Sequence, residues 1–218
     1  MAGYNRRSRA PHRRERRSGS SVCGLHFVGG VLMVVGFFGP WIAHKTAALT
    51  VTGYELSEFA KFFPQVQGGT VPVRRALFVT PLLAGTISLA LVSNRFRAAL
   101  PWRLAATGLL TVVAASVLPP FQALSAPSYR LQLALVVGGA ILTVATLLTP
   151  RLADRTRGAL LVGLALFGSA PALWQSVLLY PLASELYGMI IRPGWGVLTC
   201  TVGAAVLLLA SVRRVVRR

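Results

Sequence analysis

The sequence predicts an all-α fold: a polytopic membrane helix bundle with about six transmembrane helices and both termini in the cytoplasm. Three observations support this prediction. The 218-residue chain is 54% hydrophobic and only 13% charged, whereas soluble domains usually carry about 25% charged residues. The apolar residues form long uncharged runs. The net charge of +18 comes from short basic clusters between those runs, which is the pattern of a multi-pass membrane protein.

The first 21 residues form a basic segment that we predict to be a disordered cytoplasmic tail. Seven arginines lie between Arg6 and Arg17, and the segment has no apolar period. Each arginine near an anionic leaflet contributes about 1 kcal/mol of binding, so we expect residues 1–21 to contact anionic lipids of the bilayer. Nucleic acid is the alternative partner, but Tyr4 is the only aromatic residue in the segment and no fold supports it. We therefore predict no nucleic-acid partner.

Six apolar runs are long enough to be transmembrane helices, because about 20 residues at about 1.5 Å each cross a hydrocarbon core of about 30 Å. A cleaved signal peptide is the alternative for the first run. That run is longer than the usual apolar region of a signal peptide, and no clean cleavage site follows it. We predict an uncleaved anchor and a transmembrane domain over residues 22–212. Its predicted spans are residues 22–43, 75–93, 102–119, 130–149, 157–180 and 194–212.

Two predicted outer loops are long enough to carry structure, residues 44–74 and residues 181–193. In the first loop, Thr52 and Glu55 have the spacing of a capping box, in which each side chain bonds an unpaired backbone N–H. Apolar residues then recur at helical spacing. We predict a short amphipathic helix over residues 53–63 at the outer interface, and a second interfacial helix is an option for residues 181–193. The apolar residues of the first helix are Leu56, Phe59 and Phe63.

The distribution of Lys and Arg predicts the orientation. With a cytoplasmic N-terminus, six spans place residues 1–21, 94–103, 150–157 and 213–218 inside, the last of these as a basic tail. These segments hold seven, three, three and four of the 23 Lys and Arg residues, and the opposite side holds the other six. The positive-inside rule therefore favours this orientation, in the plasma (inner) membrane. Tyrosines and tryptophans near the span ends, Trp41 among them, are expected to anchor the helices at the headgroups.

The sequence supplies no catalytic, cofactor-binding or metal site that we can identify. All five acidic residues fall outside the predicted spans, which disfavours proton-coupled transport and carboxylate catalysis. A haem with two histidine ligands needs both at similar depth, whereas His26 and His44 would lie about 27 Å apart along a helix. Cys23 and Cys200 have no CxxC partner and are expected to be free thiols. We predict no cofactor and no enzymatic activity.

Small residues recur four positions apart in several spans. Such pairs allow helices to approach closely in lipid. We interpret them as intramolecular packing surfaces and not as a dimerisation motif. The pairs include Ala84/Ser88, Ala134/Gly138, Ala159/Gly163 and Gly168/Ala172.

Two proline-containing spans predict a small outward-facing cavity. Pro171 should kink the fifth span and free a backbone carbonyl, and Trp174 and Gln175 follow it in the outer half of that span. Thr80 and Pro81 occupy the outer half of the second span. Irregular helices with nearby polar groups can line such a cavity. The alternative is ordinary bending of the helix, with Gln175 bonded to a neighbouring backbone group.

Three short motifs resemble a group of uncharacterised small multi-pass bacterial membrane proteins. They are Gly39-Pro40-Trp41, Gly53-Tyr54-Glu55-Leu56 and Pro193-Gly194-Trp195-Gly196. In that group a PW motif ends the first helix, an outer G-x-E-L segment follows, and a PGxG motif begins the last helix. The resemblance covers the two ends of the chain and implies a membrane location and a helix count, with no activity.

For function, we rank a non-enzymatic structural or accessory subunit first, with a membrane-protein partner contacted through the outer loops. Tyr54, Phe59 and Phe63 are the candidate contact residues for that partner. A small-solute transporter or channel with a cavity near Pro81, Trp174 and Gln175 is the second interpretation. A membrane-embedded enzyme is the third.

Overall fold

The computed structural model describes residues 11–44, 49–94, 99–119, 121–148 and 152–216. Within these ranges the fold is mostly helical, as predicted, with eight α-helices and one short β-hairpin. The helices are α1 (Pro11–Phe38), α2 (Gly53–Phe59), α3 (Pro64–Gln67), α4 (Thr80–Ser93), α5 (Leu100–Ala115), α6 (Arg130–Ala145), α7 (Asp154–Tyr187) and α8 (Trp195–Val216), and the strands are β1 (Pro40–His44) and β2 (Leu49–Thr52). Short 3-10 turns cover Ala60–Phe62, Arg75–Val79, Phe121–Ala123, Pro127–Tyr129 and Thr146–Leu148.

Helix α4 lies at the centre of the bundle. It packs against α1, α5, α6 and α7, while α8 packs against both α1 and α7. Because neighbours surround α4, the residues from Pro81 to Val92 are all buried, and the helix is apolar on every face, as a fully enclosed helix is expected to be. We call the end of the bundle that carries the β-hairpin, α2 and α3 the hairpin end, and the opposite end the tail end.

Four helical segments are long and apolar enough to cross a membrane, and two further apolar helices are shorter. Each of the six falls on one of the predicted spans. The long segments are Arg75–Ser93, Pro127–Leu148, Asp154–Tyr187 and Trp195–Arg213, and the shorter helices are Cys23–Phe38 and Leu100–Ala115.

Helix α1 differs from its prediction at both ends. It begins at Pro11, so the prediction of disorder was wrong for residues 11–21. Arginine and glutamate are good helix formers, and Pro is well suited to a first helical position. Residues 1–10 lie outside the described part of the chain. The helix ends at Phe38, so residues 40–43 do not belong to the first span. They belong to β1, which pairs antiparallel with β2.

Helix α7 is longer than the predicted fifth span. It continues from Asp154 through Pro171 and Pro181 to Tyr187, so residues 181–187 are helix and not an outer loop. Gly188 caps the end of the helix, and its φ of 63° is in the left-handed region that favours glycine. A Pro removes only one helical hydrogen bond, and packing of α7 against α4 and α8 supports the helix on both sides of Pro171.

Helices α1 and α8 pack backbone to backbone through glycines. A Cβ added at Gly36 would lie 2.6 Å from the backbone nitrogen of Cys200, and one added at Gly203 would lie 2.7 Å from the carbonyl oxygen of Gly29. Gly196 faces Gly36 in the same way, because a Cβ added at Gly196 would lie 2.7 Å from the carbonyl oxygen of Gly36. No side chain fits at such a distance, so glycine at these positions permits the close approach of the two helices.

Candidate functional site

The predicted cavity beside Trp174 and Gln175 is not built from these side chains. Gln175 is 4% exposed, and its Oε1 accepts a hydrogen bond of 2.7 Å from the backbone N–H of Arg74. This is the alternative that the sequence left open. Trp174 lies on the outside of α7 and is 61% exposed. Pro81 is buried in the first turn of α4. Gln175 therefore joins α7 to the segment before α4.

Thr80 lies elsewhere, on the wall of an apolar groove. Its Oγ1 lies 2.8 Å from the carbonyl oxygens of both Leu77 and Gly168, which share its single hydrogen-bond donor. Because the hydroxyl is occupied by these contacts, it fixes α4 against α7 near the middle of α7. Its role in the structure is therefore to support the groove.

The segment after the hairpin forms the predicted capping box, with Glu55 N–H donating to Thr52 Oγ1 at 3.3 Å and Thr52 N–H donating to Glu55 Oε2 at 2.8 Å. The expectation of one continuous helix over residues 53–63 was wrong, whereas its location at the outer membrane interface stays a prediction. The segment divides into α2 and a 3-10 turn, and Phe63 is 1% exposed within the protein core. Apolar residues at helical spacing bury equally well against protein and against lipid, so the pattern alone cannot distinguish them.

The three candidate partner contacts of this segment are occupied inside the chain. The rings of Phe59 and Phe63 meet edge to face at 5.1 Å, and Phe59 stacks on Tyr187 of α7 at 6.4 Å. Tyr54 is partly buried against the same core. Phe62, which the sequence did not single out, is the exposed aromatic residue here, at 72%.

A groove of about 640 Å³ runs between α6 and α7, with α4 as its floor. Both α6 and α7 pack on α4, and the space between them opens along one side of the bundle. Apart from the hydroxyls of Thr80 and Thr156, the lining side chains are apolar. The lining residues are Thr80, Leu83, Ala84 and Ile87 of α4, Ala134, Leu135, Gly138, Gly139 and Leu142 of α6, and Thr156, Ala159, Leu160, Gly163, Leu164, Phe167 and Gly168 of α7.

Small residues create this groove. A Cβ added at Gly138 or at Gly163 would meet no atom within 4 Å, whereas one added at Gly168 would overlap the Cβ of Ala84. Gly168 therefore serves helix packing, as the sequence predicted for the small-residue pairs. The pairs Ala134/Gly138 and Ala159/Gly163 do not. They line the groove and leave it open.

A second cavity of about 700 Å³ lies at the hairpin end, where the 3-10 turn before α4, the segment after α2 and the start of α6 meet. We call it the basic pocket, because three cationic residues line it: Lys61, Arg74 and Arg75. The other lining residues are Ala60, Val66, Gln67, Val73, Ala76, Ser128, Tyr129 and Leu131.

Tyr129 holds two of these cations in place. The guanidinium carbon of Arg75 lies 4.2 Å from the centroid of the Tyr129 ring, and Lys61 Nζ lies 4.7 Å from it, both within the range of a cation–π interaction. Lys61 also donates hydrogen bonds to Glu58 and to the Tyr129 hydroxyl. The hydroxyl in turn donates to Glu58 Oε2 at 3.1 Å. Arg75 Nη2 donates to the carbonyl oxygen of Ser128 at 2.8 Å.

The charge of the basic pocket stays positive over the physiological pH range. Burial alone lowers the pKa of Lys61, but the hydrogen bonds to Glu58 and Tyr129 outweigh this effect, so the pKa is raised from its ordinary value. Burial and the nearby charge of Glu58 likewise raise the pKa of Tyr54. Among the described residues, neither Arg74 nor Arg75 forms an ion pair with a carboxylate. Three cations against the single carboxylate of Glu58 leave an excess of positive charge.

The basic pocket and the groove are lined by successive stretches of two segments, the one that leads into α4 and the one that contains α6. Ala76 of the pocket precedes Thr80 of the groove by four residues, and Leu131 of the pocket lies about one helical turn before Ala134 of the groove. Residues three apart lie on one face of an α-helix, so Leu131 and Ala134 lie on the same face of α6. The pocket therefore sits at the hairpin end of the groove.

The described residues bring together no group of three or more His, Cys, Asp or Glu side chains of the kind that holds a metal ion. His26 is buried and its Nε2 lies 3.0 Å from the Ser211 hydroxyl, which joins α1 to α8. Cys23 and Cys200 are buried thiols that form no disulfide. What the arrangement offers chemically is an apolar groove with hydrogen-bond donors at one end.

Sequence reasoning missed the basic pocket, because its cations come from different segments and Tyr129 comes from a third. Arg74 and Arg75 were counted only for orientation. The sequence did contain one signal for this pocket. Arg74 and Arg75 stand directly before one apolar run, and Tyr129 stands directly before another apolar run.

Comparison with known proteins adds no family to this description: no protein family, no curated protein and no solved structure was found to match the chain.

Proposed function

We propose that the chain is an integral protein of the plasma membrane that crosses the bilayer six times, with both ends in the cytoplasm. Four long apolar helices support this, and the shorter helices Cys23–Phe38 and Leu100–Ala115 add two crossings. Each of these spans about 24 Å at about 1.5 Å per residue, and the flanking residues cover the rest of the bilayer. The excess of Lys and Arg in the segments that the sequence assigns to the cytoplasmic side supports the orientation.

Large apolar side chains exposed around the bundle support the same proposal. Soluble monomers rarely expose contiguous apolar patches of more than a few hundred Å², whereas lipid favours them. Side chains more than half exposed on the apolar helices include Leu109, Val112, Ile141, Phe167, Trp174 and Leu198.

Within the membrane, the proposed role is non-enzymatic and accessory: the groove between α6 and α7 holds a hydrocarbon chain of a lipid. The groove itself is the observation that carries this proposal, because its lining is apolar and it opens sideways. Its α6 wall runs from Ala134 to Leu142, about 12 Å, and its α7 wall from Thr156 to Gly168, about 18 Å. A transmembrane helix of a partner needs about 30 Å. A single acyl chain fits the shorter length.

Transport of a small polar solute receives no support from this geometry. A polar solute in the groove would lose its hydrogen bonds to water and would face apolar walls, which costs several kcal/mol. The Thr80 hydroxyl already bonds two carbonyl oxygens, and the Thr156 hydroxyl lies at one end of the groove. Pro81, Trp174 and Gln175, near which that alternative placed its cavity, line neither the groove nor the basic pocket. A membrane-protein partner stays a prediction.

Filling the groove tests the proposal. Gly163→Phe directs a ring into the groove from a position where nothing lies within 4 Å of the added Cβ. We expect the lipid retained through a detergent wash, measured by native mass spectrometry, to fall about tenfold, corresponding to about 1.4 kcal/mol. Gly108→Phe is the matched control, because it adds the same ring on α5 at another open position. Equal lipid retention by Gly163→Phe and the parent would contradict the proposal.

A further inference from the structure

We infer that the lipid held by this protein is anionic, with its phosphate in the basic pocket and one acyl chain in the groove. This inference rests on the proposed function, because it names the headgroup of the same lipid. It is argued from the charge of the pocket, its free hydrogen-bond donors, its depth and its continuity with the groove.

The cationic side chains of the basic pocket have more N–H donors than the nearby acceptors can bind. Arg75 has five N–H donors, of which one bonds the Ser128 carbonyl. The guanidinium of Arg74 is exposed and has no hydrogen bond to a described residue. Lys61 keeps one of its three donors after bonding Glu58 and Tyr129. Such an excess of charged donors matches the oxygens of a phosphate, which accepts strong charge-assisted hydrogen bonds.

With the proposed membrane crossings, the pocket lies at the depth of a lipid headgroup. Arg75 begins one long apolar segment, and Tyr129 lies near the beginning of another. A phosphate bound there sits at the boundary between the apolar helices and the loops of the hairpin end. A pocket for a soluble anion could lie anywhere on the protein surface and would not need an apolar groove next to it.

The length of the shared wall fits a chain from the same leaflet. From Leu131 of the pocket to Leu142 of the groove, α6 rises about 16 Å. This is close to half of a hydrocarbon core of about 30 Å. A lipid with its phosphate beside Arg75 therefore reaches the end of the α6 wall with one chain, and it belongs to the leaflet at the hairpin end.

The test compares phosphatidylglycerol with phosphatidylcholine carrying the same acyl chains, each added to the purified full chain and measured by native mass spectrometry. The parent is expected to prefer phosphatidylglycerol. Arg74→Gln should lower that preference about fivefold and Arg74→Gln with Arg75→Gln about 25-fold, since each cation near an anionic lipid contributes about 1 kcal/mol. The single variant guards against misfolding, because Arg74 makes no side-chain bond to a described residue. Arg192→Gln, exposed at the same end outside the pocket, is the control.

The outcomes separate the two proposals. Loss of preference in the Arg74 and Arg75 variants but not in Arg192→Gln supports the inference. Unchanged preference with lipid still bound overturns the headgroup assignment and leaves the groove proposal standing. Absence of any bound lipid overturns both. Displacement of phosphatidylglycerol by inorganic phosphate at equal concentration would assign the pocket to a soluble anion and overturn the lipid assignment.

Discussion

Gly36→Leu is expected to destabilise the protein by about 3 kcal/mol or more. Even the first carbon of the new side chain would lie 2.6 Å from the backbone nitrogen of Cys200 and 2.7 Å from the carbonyl oxygen of Gly196. These are backbone atoms, so no rotamer change relieves the overlap, and α1 and α8 must move apart. The measurement is the free energy of unfolding in mixed detergent micelles, followed by circular dichroism.

Gly108→Leu is the control for this experiment. It makes the same change of residue at an exposed position of α5, where nothing lies within 4 Å of an added Cβ, and it should not lower the free energy of unfolding, because leucine has the higher helix propensity. If Gly36→Leu and Gly108→Leu both have the same free energy of unfolding as the parent, then α1 and α8 do not pack through their glycines.

Trp41→Ala is expected to cost about 3–5 kcal/mol, the usual range for removing a buried aromatic side chain. The sequence suggested a headgroup anchor, but the side chain is 0% exposed. Its Nε1 donates to the carbonyl oxygen of Gly36 at 3.1 Å, and its ring meets Phe78 edge to face at 6.2 Å. The loss would therefore loosen the contact between α1, the β-hairpin and the segment before α4.

Trp102→Ala provides the comparison, because Trp102 is 71% exposed at the start of α5. We expect it to change stability by about 0.5 kcal/mol or less. The measurement is the free energy of unfolding of Trp41→Ala and of Trp102→Ala in the same detergent. Equal small effects would mean that Trp41 is not part of the core.

The features that the sequence predicted correctly depend on local pattern. Apolar runs of helical length located all the long helices, and the spacing of Thr52 and Glu55 located the beginning of α2, because a capping box is made within four residues. The end of α1 at Phe38 depends instead on the pairing of strand β1 with strand β2. The burial of Trp41 depends on its contact with Phe78, which is distant in the sequence. Distant contacts of this kind leave no local periodicity.

The candidate site shows the same limit. Gly168 and Gly163 are alike in the sequence, yet one packs against Ala84 and the other lines an open groove. A small residue leaves room whether a neighbouring helix fills it or not, so only the arrangement of α4, α6 and α7 distinguishes the two roles. The basic pocket needed the same arrangement, because it joins Arg75 to Tyr129 across more than fifty residues of chain.

The central claim is that six crossings place the hairpin end outside the cell and the tail end inside. Single cysteines at five exposed positions between the crossings test it with a membrane-impermeant maleimide on intact cells, and the parent is the blank because Cys23 and Cys200 are buried. We expect labelling to alternate along the chain, with tail-end positions reacting only after lysis. Labelling of tail-end positions in intact cells, or equal labelling of all five, would contradict the account. The hairpin-end positions are Thr70, Ser125 and Arg192, and the tail-end positions are Ala99 and Ala153.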